Sequence, residues 1–113
     1  MVDIEKIKSR ISDEPKGITN EIAMTSSVFG NKYIDGSELS IEEILVAIIY
    51  AYNITPDEDI YCPMTKKVLK KYFDWSDYKI RKMVKSIPEI VIAPMWDDEG
   101  YLCGNGYVID ELT

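Results

Sequence analysis

The chain has 113 residues, is 46% hydrophobic, and carries 20 acidic against 13 basic side chains for a net charge of −7. That size suits one compact domain with a single real core, and the absence of histidine excludes triads that use it as base and zinc sites that use it as ligand. Taken alone, the negative charge also argues against a nucleic-acid binder, because phosphate repels an acidic body.

The N-terminal stretch Met1 to Ile11 places Val2, Ile4, Ile7 and Ile11 among charged residues, a spacing that predicts a short amphipathic helix docked on the core or on a second copy. Asp13 to Gly17 breaks it, with Pro15 disfavouring helix at Glu14. From Ile18 to Ile34 the pattern is ambiguous: Ile22, Ala23, Met24, Val28 and Phe29 fit a helix, while Phe29 to Ile34 fits a short strand. The preferred expectation is a helix followed by a loop. Asp35-Gly36-Ser37 reads as a turn, dividing an N-terminal extension, 1–36, from the main unit, 37–113.

Ser40-Ile41-Glu42-Glu43 fits a capping box, with the Ser40 hydroxyl accepting from a free backbone N–H while Glu43 reaches back. The following residues, Ile44 to Tyr52, are apolar nearly all round, which predicts the central buried helix. These nine residues also form the longest uninterrupted apolar run, well short of the roughly 20 that span a bilayer. Thr55-Pro56-Asp57-Glu58 predicts one capped turn, and Asp57 to Asp59 lacks the spacing, glycine and closing glutamate of a calcium loop.

A second helix should begin at Thr65, with Val68, Leu69, Tyr72 and Phe73 on one side and Lys66, Lys67, Lys70 and Lys71 on the other. Asp74, Trp75 and Ser76 form the break, Trp75 closing the turn and Ser76 capping a third helix that opens with Asp77. Along this helix Ile80, Met83, Val84 and Ile87 share one face, Tyr78, Lys82 and Lys85 the other, and Pro88 ends it. Val91 to Trp96 and Tyr101 to Cys103, extended by Tyr107 to Ile109, are β-rich runs around the turn-like Asp97-Asp98-Glu99-Gly100. Gly104-Asn105-Gly106 matches neither a Walker A loop nor a dinucleotide fingerprint and suits a bulge or a tight turn in the hairpin.

Helix, three-residue break, helix and hairpin in that order resemble the winged helix-turn-helix superfamily over residues 40–112. The resemblance implies an α+β fold, a trihelical core with a C-terminal β-hairpin wing, and a recognition helix at 77–86. Charge distribution agrees with it. Residues 66–85 hold eight cations against two carboxylates, a local net of +6, whereas the other 93 residues hold five cations and 18 carboxylates, a net of −13. Such concentration is the footprint of a DNA-contacting face. A competing account is that the lysines merely solvate two amphipathic helices.

The first functional expectation is therefore a small sequence-specific DNA-binding protein, a transcriptional regulator or a replication or partition accessory factor. Tyr78, Lys79, Arg81, Lys82 and Lys85 would lie in the major groove of double-stranded DNA. Lys66, Lys67, Lys70 and Lys71 would hold phosphates and set orientation. The alternative is an acidic winged-helix protein-interaction module, such as a phage or plasmid encoded inhibitor or DNA mimic, an idea favoured by the −13 remainder and by an acidic wing tip that phosphate would repel. A homodimer is expected because one recognition helix buries too little surface, with the N-terminal apolar stripe available for pairing. Cys62 and Cys103, 41 positions apart, offer no Cys-x-x-Cys pair and read as core thiols. The chain shows no signal-peptide pattern, so a cytoplasmic, non-enzymatic protein with no cofactor, metal or membrane partner is expected.

Overall fold

A computed structural model describes residues 2–14, 21–26, 30–54 and 63–110. Among them the chain forms an α+β arrangement of four helices, a three-stranded antiparallel sheet and a two-stranded antiparallel sheet. The Thr55 to Glu58 turn, Asp59, Cys62 and the Pro15 to Gly17 part of the first break lie outside the described residues.

Helix α1 (Ile4–Ser9) starts where Asp3 accepts from the Lys6 N–H at 3.1 Å. Its Ile7 is buried, and Val2, Ile4 and Ile11 pack partly buried against the same core. The helix leads into β1 (Ile11–Ser12), followed by β2 (Glu21–Ser26) and β3 (Gly30–Asp35), with strand order β1-β3-β2. This overturns the expected helix between Ile18 and Ile34. Glu21 pairs with Asp35, and the register runs to Ser26 opposite Gly30. The deciding interactions are distant in sequence: Ile34 is fully buried in the core that α2 fills, and Arg10 carbonyl accepts from the Asp35 N–H at 2.8 Å. A local window with mixed periodicity cannot register such contacts, and tertiary context then overrides propensity.

Helix α2 (Ile41–Ile54) opens with the expected capping box, Ser40 Oγ accepting from Glu43 N–H and Glu43 Oε1 from Ser40 N–H, both at 3.1 Å. Leu45, Val46, Ala47, Ile48, Ile49 and Ala51 are buried, so α2 is the axis of the core. No helix among the described residues is long and apolar enough to cross a membrane. Helix α3 (Lys66–Leu69) is shorter than the pattern through Phe73 suggested. Beyond it, Lys71 N–H and Tyr72 N–H bond back only three residues, to Val68 and Leu69, which tightens and ends the helix.

Helix α4 (Asp77–Ser86) and the hairpin of β4 (Ile90–Trp96) and β5 (Leu102–Ile109) follow as expected. Gly100 takes a φ of +85° at the turn, and Gly104 takes +140° beside the register shift that leaves Cys103 unpaired, backbone states that side chains resist. Cys103 is exposed, not a core thiol. The far edge of β5 is bonded to the helical core. Met64 and Tyr107 exchange backbone hydrogen bonds at 2.9 and 2.8 Å, and fully buried Asn53 donates to the Tyr107 carbonyl and accepts from the Ile109 N–H, both at 3.1 Å.

Candidate nucleic-acid interface

Two local devices aim α4. At its start Ser76 Oγ accepts from the Lys79 N–H at 3.2 Å, satisfying one free first-turn donor. Ahead of that cap, Trp75 stacks on Phe73 with ring centroids 4.3 Å apart, and Lys79 Nζ sits 4.7 Å from the Trp75 ring centroid. Ile80, Val84 and Ile87 are buried, which fixes the helix's rotation and sends the opposite face into solvent.

On that face Tyr78 is 69% exposed, and Arg81, Lys82 and Lys85 are exposed beside it. Tyr78 stands between two open hollows of about 540 and 420 Å³; Lys79 and Met83 border the first, Arg81 and Lys85 the second, and Lys82 both. Among the described residues Arg81, Lys82 and Lys85 make no ion pair. Burial raises the Tyr107 phenol above its ordinary value, a shift that the charge of Arg81 opposes and that of Asp77 reinforces.

The four α3-region lysines divide into two kinds. Lys66 Nζ and Lys70 Nζ reach the Asp77 carboxylate at 3.4 and 2.9 Å, while Lys67 and Lys71 are exposed and have no such partner among the described residues. The hydrogen bond from Lys70, with the charges of Lys66 and Lys70, holds the Asp77 carboxyl below its ordinary value. Nothing in the helical periodicity distinguished these pairs, because Asp77 belongs to the next element and meets Lys66 and Lys70 only across the turn.

The hairpin carries an unexpected surface. Opposite residues in the register share a face, so Ile92, Pro94, Trp96 and Leu102 continue outward from the buried Ile90, Ile109 and Tyr107 on one side of the sheet. Ile92, Trp96 and Leu102 are 60, 61 and 58% exposed. Comparison with family models, curated proteins and solved structures returned no match. At the tip, Asp97 Oδ1 accepts from the Glu99 and Tyr101 N–H groups at 3.0 and 2.9 Å, which closes the turn and leaves Asp98 and Glu99 exposed. The N-terminal stripe expected to pair two copies is instead engaged at home, since Ile7 is buried and its apolar neighbours pack on the core.

Proposed function

We propose that the chain is a small winged helix-turn-helix protein that binds double-stranded DNA sequence-specifically, as a transcriptional regulator or a replication or partition accessory factor. Helix α4 enters the major groove, where Tyr78, Arg81 and Lys82 meet base edges and Lys85 and Lys79 flank them. Lys67 and Lys71 hold phosphates, with Lys66 and Lys70 in reserve behind Asp77. One observation carries the reading: a well-capped helix, anchored by Ile80, Val84 and Ile87, offers solvent an aromatic and three cations that no described carboxylate neutralises. The order α2, α3, α4 and hairpin, with β5 tied to the core through Met64, supports the winged-helix assignment.

Fluorescence anisotropy on random duplexes, at low and then physiological salt, tests this. Binding that weakens with salt is expected, followed by enrichment of a motif from a random-sequence library. Failure to bind at either salt favours the second reading, a protein-interaction module. That reading draws on the exposed apolar hairpin face and its carboxylate tip, both ill suited to phosphate.

A further inference from the structure

Glu89, in the link between α4 and β4, is only 5% exposed, and the fold treats its two carboxylate oxygens unequally. Oε1 accepts from the Val2 N–H at 3.3 Å, whereas the buried Oε2 accepts no hydrogen bond among the described residues. A buried carboxylate oxygen without a donor costs free energy, which favours a donor brought from outside the fold. Glu89 also lines an open hollow of about 330 Å³, bounded by the residues ahead of α1, the start of α2 and the end of α4. We propose that this hollow binds a short aliphatic diamine, one primary ammonium donating to Glu89 Oε2 and the other held by Glu42, which lines the same hollow.

Charge and donor count select the ligand. The walls hold two carboxylates and no cation, and neither Glu42 nor Glu89 makes an ion pair among the described residues. Lys6, on neighbouring α1, spends its ammonium on Glu43 at 3.8 Å and on the Glu38 carbonyl at 3.0 Å. Ser86 adds an acceptor, because its hydroxyl proton goes to the Met83 carbonyl at 2.7 Å and its oxygen keeps its lone pairs. The hollow also meets the C-terminal end of α4, whose last carbonyls favour positive charge, while the positive end of α2 is already covered by the Glu43 carboxylate bonded to Ser40 N–H. An anion therefore finds no partner here. A divalent metal fits less well, since it takes about six oxygen ligands and no group of three or more carboxylates or thiolates suited to a metal occurs among the described residues. Val2, Ile87 and Pro88 supply apolar wall, which suits an alkyl chain better than a hydrated inorganic ion. The site stands apart from the exposed face of α4, so it does not depend on DNA binding.

Titration of the isotope-labelled whole protein with putrescine at constant ionic strength, followed by amide NMR, tests the site. Saturable shifts with a Kd on the order of 0.1–1 mM are expected at Val2, Ser86, Ile87 and Glu89, with Tyr78 and Arg81 unmoved, and the melting temperature should rise with occupancy. Binding of n-butylamine should be several-fold weaker, because it engages one carboxylate. The fully N-methylated analogue of putrescine, with the same two charges and no N–H, should leave these amides in place, as should magnesium chloride. Glu89→Gln keeps the side-chain size and an acceptor for Val2 while removing the charge, and should weaken putrescine about tenfold or more. Glu42→Gln, at a partly exposed position, should melt like the parent and lose the preference for putrescine over n-butylamine. Should Glu89→Gln fail to fold, the parent titration and Glu42→Gln decide. Absence of saturable shifts up to about 10 mM putrescine overturns the proposal. So do equal shifts from the N-methylated analogue, or a Glu42→Gln variant that still prefers the diamine.

Discussion

Helix α4 and the β4–β5 hairpin leave the same core in opposite chemical dress. On α4 the apolar residues point inward and the cations outward, the arrangement that amphipathic periodicity predicts and that solvent alone would stabilise. The hairpin keeps Ile90, Tyr107 and Ile109 inside but then continues the same face outward as Ile92, Trp96 and Leu102, which solvent does not stabilise. A basic surface on a helix therefore has two adequate explanations, solvation and ligand binding, whereas an extended apolar surface flanked by charge has mainly one, association. The hairpin is the more diagnostic region for contact with protein, and α4 becomes diagnostic only through ligand measurements.

The largest effect should come from breaking the hairpin's attachment. Asn53→Ala removes a donor to the Tyr107 carbonyl and orphans the buried Ile109 N–H, so chemical denaturation should show a loss of about 2–4 kcal/mol. Trp96→Glu, on the exposed outer part of the same hairpin, should change stability by no more than about 0.5 kcal/mol. If both variants melt alike, the division between an anchored base and a free outer face is wrong. Trp75→Ala comes next. It deletes the stack on Phe73 and the platform under Lys79, and because the ring is only half-buried the cost should be about 2 kcal/mol, below the range for a fully buried tryptophan. Retained stability with lost DNA binding would instead make Trp75 a contact residue.

Legibility in the sequence followed the range of the interactions. Helix α4, its Ser76 cap, the Ser40–Glu43 box and the hairpin were readable because each rests on contacts within a few residues or on a regular period. The α+β class followed from them. Strands β2 and β3 were not, since the burial of Ile34 depends on α2 packing that a local window does not contain. Asn53, just past the apolar run, drew no reading from the sequence, because its partners lie 54 and 56 positions away. The exposure of Ile92 and Trp96 was equally hidden, because an apolar strand residue carries no mark of which side of a sheet another element covers.

Smaller effects separate reading from positioning on the helices. If Tyr78, Arg81 or Lys82 touches base edges, alanine there should narrow the gap between a selected duplex and its scrambled counterpart by about 1–2 kcal/mol. Lys67→Ala or Lys71→Ala should weaken both duplexes equally. Unchanged affinity in all of these variants would reduce the basic face to solvation.

The smallest effect concerns Asp77, and its direction is informative. Lys66 and Lys70 spend their charge on this carboxylate, so each should contribute less to counterion release than Lys67 or Lys71. A lowered carboxyl pKa in the folded state means that the tie is fully present above the ordinary aspartate range and is lost only as pH falls through the lowered value. Across neutral pH the restraint is therefore constant, and pH changes there should leave the salt dependence of DNA binding unmoved. Asp77→Asn removes the charge at every pH while keeping the size of the side chain, which frees both lysines. The slope of log affinity against log salt should steepen by up to about two units, and Lys66→Ala should then matter as much as Lys67→Ala. Measured in the parent background, Lys66→Ala should shift the slope by less than Lys67→Ala. Equal slopes for the two lysines in the parent protein would show that Asp77 restrains neither, leaving the surface pair at the near-zero worth common to exposed ion pairs.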